Sequence, residues 1–158
     1  MGFFKKITGA LRAPEANISV NISQMAFMLG QEITGSIQVA ASEEFDATEF
    51  RVELEDYEHT RAFYRVSRPN QPDISGTAEE QNKLYTGKVT VNGPIHLTKG
   101  FTGEYNFRIS VPANASTTYS GKNASNKWSI KGVIGVSGRP DVNSHEIEVM
   151  IVPAVKLS

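Results

Sequence analysis

The sequence predicts an all-β sandwich with a short amphipathic helix before it. Three runs within residues 103–152 alternate apolar and polar side chains with a period of two, which is typical of strands that bury one face. Pro112 ends the first run, and Arg139-Pro140-Asp141 makes the turn between the second and the third. Apolar positions of these runs form the predicted core: Tyr105, Phe107, Ile109, Trp128, Ile130, Ile134, Ile147, Val149 and Ile151.

The predicted helix covers residues 1–12. Its apolar residues are spaced by three, four and seven positions, which places them on one helical stripe, and all of its charged side chains are basic. Pro14 ends the pattern. This N-terminal segment, residues 1–13, either packs on the sandwich, docks on a partner or an anionic membrane surface, or frays. Its candidate contact residues are Phe3, Phe4, Lys5, Lys6, Ile7, Leu11 and Arg12.

Residues 14–158 form the predicted sandwich domain, with eight or nine strands. Alternating runs begin at Ile18, Ile33, Phe50 and Tyr85, and the turn signals between them occur at intervals typical of a sandwich. A short additional strand is predicted at residues 95–97. The strand that follows Phe50 is expected to resume or to pair back through residues 62–66.

Eight carboxylates and one arginine lie between Glu43 and Glu58. On an alternating strand we expect these acids to point into solvent, where nothing raises their pKa values. General acid–base chemistry usually requires a desolvated carboxyl, so the pattern predicts a solvated face and no catalytic residue. Between Glu104 and Asp141 the charged side chains are all basic. The two regions are expected either to face each other across the sandwich or to give the domain one negative and one positive side.

Residues 67–82 interrupt the strand pattern with two prolines, one glycine and mostly polar side chains. Unstructured segments of this length are uncommon in compact domains and are usually functional or disordered. We therefore expect a mobile segment, either the tip of a hairpin or a loop that takes part in binding. Its candidate interaction residues are Arg68, Asn70, Asp73 and Ile74.

Composition excludes several classes of function. The sequence has no cysteine, which removes disulfides, thiolate chemistry and cysteine zinc sites. The histidines His59, His96 and His145 are far apart and none has a ligand at i+2 or i+4, so we expect no metal and no cofactor. A net charge of −1 argues against nucleic-acid binding. We expect a cytoplasmic protein that is not an enzyme.

Four segments carry a family resemblance: the basic start Gly2-Phe3-Phe4-Lys5-Lys6, and residues 29–37, 103–112 and 128–134. The second is Leu29-Gly30-Gln31-Glu32-Ile33-Thr34-Gly35-Ser36-Ile37, with Leu29 where a proline is common. These segments resemble motifs of the arrestin fold family, and particularly the arrestin-like sporulation-control proteins of bacteria and archaea.

The resemblance implies a single arrestin-like (immunoglobulin-like) β-sandwich that acts as a non-catalytic interaction or scaffold module for partner proteins, including at a membrane surface. The chain has room for one sandwich where arrestins have two, so no interdomain hinge is expected. Residues 67–82 lie about where the finger loop of arrestins falls. A carbohydrate-binding sandwich is the alternative, with Tyr57, Tyr64, Tyr119 and Trp128 as the candidate aromatic platform; Trp128 is in phase with the apolar face of its strand.

Overall fold

The computed structural model describes residues 12–155, which form eleven β-strands and no helix. The strands are β1 (Ala16–Ile22), β2 (Ala26–Met28), β3 (Glu32–Ala41), β4 (Phe45–Arg68), β5 (Gln71–Asn92), β6 (Ile95–Leu97), β7 (Thr102–Ser110), β8 (Tyr119–Ser120), β9 (Ala124–Val136), β10 (Val142–Asn143) and β11 (Ile147–Val152). Within this range no helix is long and apolar enough to cross a membrane.

The strands form two sheets, which confirms the predicted sandwich. The smaller sheet has the order β1-β3-β7 and is antiparallel. The larger sheet has eight strands along the path β2-β11-β9-β4-β5, with β6 attached to β4 and with β8 and β10 attached to β9. Its pairings among the described residues are antiparallel except for the one between β2 and β11. The strand predicted at residues 95–97 is β6.

The core lies between the inner faces of the two sheets and contains most of the residues that alternation predicts. Seven of the nine predicted core positions are buried, and Tyr105 and Ile147 are partly buried against the same cluster. Other strands complete the core with Ile33 and Ile37 from β3 and with Phe50, Val52 and Leu54 from β4.

Trp128 connects the core to the segment between β7 and β8. Its ring packs on Tyr85 with the ring centroids 5.6 Å apart, and its Nε1–H donates to the carbonyl oxygen of Ser116 at 2.9 Å. A buried indole needs a partner for this group, so the hydrogen bond fixes residues 112–118 across the end of the sandwich.

Gly35 allows β1 and β7 to approach β3 closely on both sides. It pairs with Ile22 of β1 and with Phe107 of β7. A Cβ at this position would lie 2.3 Å from the backbone oxygen of Asn21 and 2.9 Å from Cζ of Phe107. Because the nearest atom is backbone, a side chain here would displace β1.

The helix predicted at residues 1–12 falls outside the described residues except for Arg12. Arg12 lies in a bend and is exposed. Its guanidinium is 3.8 Å from a carboxylate oxygen of Glu15, and its carbonyl oxygen accepts a hydrogen bond from Nε of Arg139 at 2.9 Å. The last residue of the predicted helix is therefore held by the turn between β9 and β10 without being helical.

The contact at Gly35 leads to the first prediction. We expect Gly35→Ala to lower the free energy of unfolding by about 1–3 kcal/mol, because the added methyl group overlaps the backbone of β1. Gly93→Ala is the matched control, since a Cβ there meets no atom within 4 Å. Urea unfolding of both variants tests this prediction, and equal stabilities would contradict it.

Candidate functional site

A two-stranded ribbon projects from one end of the larger sheet. β4 pairs with β9 only as far as Thr60, whereas its pairing with β5 continues to Arg68. Residues 61–79 thus form a hairpin, here called the ribbon, whose strands have no other strand partner in the described part of the chain. At about 3.4 Å per residue, it extends roughly 25 Å beyond the sheet. Almost all of its residues are exposed.

The segment at residues 67–82 is the tip of a hairpin, and the expectation of a long loop there is wrong, because nearly all of this segment is strand. Only Pro69 and Asn70 lie between β4 and β5. Asn70 has a φ of 57°, and this left-handed conformation is typical of tight hairpin turns and is tolerated by asparagine. Pro72 is tolerated because β5 is an edge strand and the pairing is irregular between Val66 and Arg68.

One face of the ribbon is apolar. Directly opposed residues of an antiparallel pair share a face. This apolar face consists of three opposed pairs: Ala62 with Ala78, Tyr64 with Gly76, and Val66 with Ile74. The Tyr64 ring covers Gly76, where a Cβ would come within 2.6 Å of the tyrosine oxygen. Tyr64, Val66 and Ile74 are 48%, 48% and 44% exposed.

The opposite face of the ribbon carries paired charges. Nε of Arg65 donates to Oδ2 of Asp73 at 2.9 Å, and Nε of Arg61 lies 3.8 Å from Glu79. The Arg61 guanidinium also lies 5.5 Å from the ring centroid of Phe63. Phe63 is 68% exposed, so this face also presents an aromatic side chain, but a single one among charges. The ribbon is therefore amphipathic.

Arg51 organises a charge network on the outer face of the larger sheet. Its guanidinium donates to three carboxylates, those of Glu49 at 3.1 Å, Glu53 at 3.0 Å and Asp141 at 3.0 Å. The Asp141 carboxylate also accepts the backbone N–H of Val136 at 3.0 Å. One arginine thus links the middle of β4 to the turn that follows β9.

Glu53 lies at the centre of this network and is 6% exposed. Burial by itself would raise its pKa, but the hydrogen bond and charge of Arg51 outweigh burial, with help from Lys131 and Lys88, and the pKa is lowered. The two lysine Nζ atoms approach the Glu53 carboxylate at 3.6 and 3.5 Å. Strands on both sides of β4 therefore supply cations to one buried acid.

The solvated face expected for the acidic run is wrong for these residues. Glu55 is only 4% exposed, and it accepts hydrogen bonds from the Tyr57 hydroxyl at 2.8 Å and from Lys83 Nζ at 3.2 Å. The basic C-terminal region meets the acidic run within one sheet, as Lys131 does on Glu53, and not across the sandwich. Cross-strand pairing explains both results, because neighbouring side chains of one face lie close together.

Asp56 lies on the inner side of β4 and is 1% exposed. Burial raises its pKa to about 6; a hydrogen bond with Asn126 opposes this shift and the charge of Glu58 adds to it. Neither Oδ1 of Asp56 nor Oδ1 of Asn126 has a hydrogen-bond partner within the described chain. The expectation that nothing raises the pKa of an acid in this run is therefore wrong for Asp56.

The three histidines do not come together in one site of the described structure. His96 lies beside Asp46 at 2.6 Å and Glu44 at 3.2 Å, and the hydrogen bond to Asp46 is the main cause that raises its pKa. Over residues 12–155, no group of three or more histidine, aspartate or glutamate side chains could hold a metal ion.

A family model for the N-terminal domain of arrestin (or S-antigen) matches residues 16–158. The chain belongs to this arrestin family. Among solved structures, the chain is similar to the sporulation control protein Spo0M of Bacillus subtilis, with a TM-score of 0.60 and 13% identity. That match covers 87% of this chain and 49% of the Spo0M chain, so the arrestin domain described here spans about half of Spo0M. A comparison with curated protein sequences gave no significant match.

The family match and the structural match together confirm the resemblance to arrestins and to sporulation-control proteins. Three of the four motif segments lie in the described part of this arrestin domain. Residues 29–37 lead into β3 and continue within it, residues 103–112 cover most of β7 and the two residues after it, and residues 128–134 lie in β9. The motifs thus cover both sheets, and at 13% identity the likeness to Spo0M concerns the fold alone.

The ribbon of this arrestin domain brings together four of the candidate interaction residues. Arg68 ends β4, Asn70 forms the turn, Asp73 pairs with the opposite strand and Ile74 belongs to the apolar face. The other candidates, apart from Arg12, lie outside the described residues: Phe3, Phe4, Lys5, Lys6, Ile7 and Leu11. Sequence reasoning missed that Tyr64 and Val66 share a face with Ile74, because that requires the register between β4 and β5.

The three candidate tyrosines do not form one platform. Tyr57 and Tyr64 are an odd number of residues apart on the same strand, so they lie on opposite faces of it. Tyr119 belongs to β8, which borders β9 on the side away from β4. Trp128 is fully buried, as its phase predicts. The arrangement does not favour the carbohydrate-binding alternative.

The buried Asp56 leads to the second prediction. Its folded pKa of about 6 exceeds the ordinary value of 3.8, so this group makes the fold more stable as the pH falls from about 6 towards 4. We expect Asp56→Asn to be more stable than the wild type near neutral pH by about 2–3 kcal/mol, because no charge is buried. The difference should vanish near pH about 4. Urea unfolding across this pH range measures it, and a variant less stable than the wild type near neutral pH would contradict it.

The network around Arg51 leads to the third prediction. We expect Arg51→Leu to lower the free energy of unfolding by about 2–4 kcal/mol at neutral pH, because Glu53 stays buried without its main partner. The lowered pKa of Glu53 stabilises the fold above its ordinary value of 4.5 and this effect is lost as the pH falls through the folded pKa, so the deficit should shrink in acid. Lys88→Gln is the control, with a loss below about 1 kcal/mol because Lys88 is largely exposed. Equal losses in the two variants would exclude a central role for Arg51.

Proposed function

We propose that this arrestin domain is a non-catalytic interaction module that binds a partner protein through the apolar face of its ribbon. The observation that carries the proposal is the exposure of Tyr64, Val66 and Ile74 side by side on a hairpin that projects from the sheet. Contiguous exposed apolar side chains commonly mark sites of protein–protein contact.

The construction of the ribbon supports this proposal. A two-stranded hairpin is only marginally stable by itself, and a partner that covers the exposed face would stabilise it. The Arg65–Asp73 and Arg61–Glu79 pairs hold its polar face together. The apolar face has no covering element among the described residues, and a partner that covers it would remove apolar surface from water.

The edges of the ribbon offer a second mode of contact to the same partner. Beyond Thr60, β4 has only β5 beside it in the described structure, and β5 is an edge strand throughout its length. Unpaired backbone groups at such edges can accept a strand from another protein. A partner with an extended apolar segment would combine both contacts.

The ion pairs around Arg51 support a role without catalysis. The pKa values of Glu53 and Asp141 are lowered, with Arg51 bonded to both, which is an arrangement typical of structural ion pairs. A cytoplasmic location belongs to the same proposal, since a sequence without cysteine suits a reducing compartment. A further contact of residues 1–12, with protein or with anionic lipid, remains an expectation based on their basic and apolar composition.

The fourth prediction tests the ribbon as a binding surface. Partners would be captured on the immobilised chain from a lysate, identified, purified and measured by calorimetry. We expect the triple variant Tyr64→Ser, Val66→Ser, Ile74→Ser to bind the purified partner at least about tenfold more weakly, because three half-exposed apolar side chains no longer lose their contact with water on binding.

Phe63→Ser is the matched control, because it removes a more exposed aromatic ring from the opposite face of the same strand. Its affinity should stay within about twofold of the wild type. Melting curves of both variants check that the sandwich is intact. The proposal fails if the triple variant binds as well as the wild type, or if Phe63→Ser weakens binding as much.

A further inference from the structure

A cavity of about 360 Å³ lies beside Asp56 at the end of the sandwich. Leu84 and Tyr85 of β5 form one wall, and Pro112 and Ala115 of the crossing segment form another. These side chains are mainly apolar, whereas Asp56 contributes a carboxyl from the inner side of β4. The cavity thus combines an apolar wall with one acid.

The wall made by residues 112–118 is held in place by hydrogen bonds. Trp128 donates to the carbonyl oxygen of Ser116 at 2.9 Å, and Nδ2 of Asn126 donates to that of Thr117 at 3.0 Å. The backbone N–H of Thr118 donates to the carbonyl oxygen of Ile151 at 2.8 Å. The cavity is therefore built into the fold and does not depend on a loose loop.

Asp56 and its neighbour Asn126, which does not itself line the cavity, each have one acceptor oxygen without a donor. Oδ1 of Asp56 and Oδ1 of Asn126 are both buried without a hydrogen-bond partner, and the two side chains are within hydrogen-bonding reach of each other. Unsatisfied buried acceptors cost free energy, so such a pair calls for an explanation.

Within the described chain, no cation is among the groups that shift the pKa of Asp56. Tyr85 faces it from β5 and Trp128 from β9, and Glu58 on its own strand is the one charge that shifts its pKa. Residues 112–118 contribute no ionisable side chain. An acid in this setting differs from Glu53, which is surrounded by cations.

We propose that this cavity binds a primary alkylammonium group, with the ammonium on the carboxylate of Asp56 and the alkyl stem along Leu84 and Tyr85. An ammonium offers three donors and no acceptor, which complements the carboxylate of Asp56, an acid that lines the cavity and has no cation among the groups that shift its pKa. A guanidinium suits the site less well, because its planar fork needs both oxygens of a carboxylate, and Asn126 lies against this one.

Two sources could supply this chemistry, a small free amine or the lysine side chain of another protein. Both present the same ammonium on an apolar stem, and lysine stems are known to lie along apolar surface. The inference does not depend on the ribbon, since none of the residues that line the cavity belongs to the apolar face.

Nuclear magnetic resonance titration of the full chain with n-butylammonium near neutral pH tests the inference. We expect saturable shifts at Leu84, Tyr85 and Ala115, and a lower pKa of the Asp56 carboxyl in the complex. Asp56→Asn should weaken binding by about tenfold or more, because a charge-assisted hydrogen bond is lost. Binding should also weaken below pH about 6, where Asp56 takes up a proton.

Three controls separate this site from general attraction of a cation. Glu104→Gln removes the same charge from the exposed side of β7 and should leave the affinity unchanged. Ala115→Leu fills the cavity and should weaken binding while Asp56 is retained, and 1-butanol should not bind. Equal binding by Asp56→Asn and the wild type would overturn the inference, as would the absence of any saturable shift.

A comparison of probes then distinguishes the two sources. If lysine blocked at both its backbone amino and carboxyl groups binds as well as n-butylammonium, the cavity takes a protein side chain. If only n-butylammonium binds, the site takes a free amine. Either result supports an ammonium site at Asp56.

Discussion

The pairing of β4 on both sides is the constraint on which the rest of the structure depends. One pleat runs through β4 from Phe50 to Val66, so Phe50 and Leu54 on its inner face place Tyr64 and Val66 on the same side farther along. The apolar face of the ribbon is thus a continuation of the core-facing side, past the point where β9 leaves the strand. A slip of one residue would exchange this face with the charged one.

The outer face of β4 supports the same register through charge. Carboxylates in a central strand are desolvated by their neighbours, and here cations arrive from both sides: Lys88 from β5 and Lys131 from β9. Arg51 then connects Glu53 to Asp141 in the turn after β9. Apolar contacts on one side and ion pairs on the other therefore specify one alignment of three strands.

The end of the sandwich follows a different rule. There Trp128 and Asn126 donate hydrogen bonds to backbone carbonyl oxygens of the segment between β7 and β8. Oδ1 of Asp56 and Oδ1 of Asn126, in contrast, have no hydrogen-bond partner in the described chain. Asp56 is left as a buried acid whose pKa is raised to about 6, in contrast to Glu53 three residues earlier, whose pKa is lowered. The two carboxyls differ because one faces cations from neighbouring strands and the other faces aromatic rings and an amide.

Alternation along the sequence determined the strands, the core positions such as Phe107 and Trp128, and the motifs that place the chain among arrestins, because strand period and side-chain size are local properties. The tertiary structure decided what residues 67–82 are, since their polar composition resembles a loop until β5 is aligned with β4. It also decided that Glu53 is buried among cations and that Asp56 is buried without one. Burial and pKa depend on which strand lies alongside, and that neighbour is distant in the sequence.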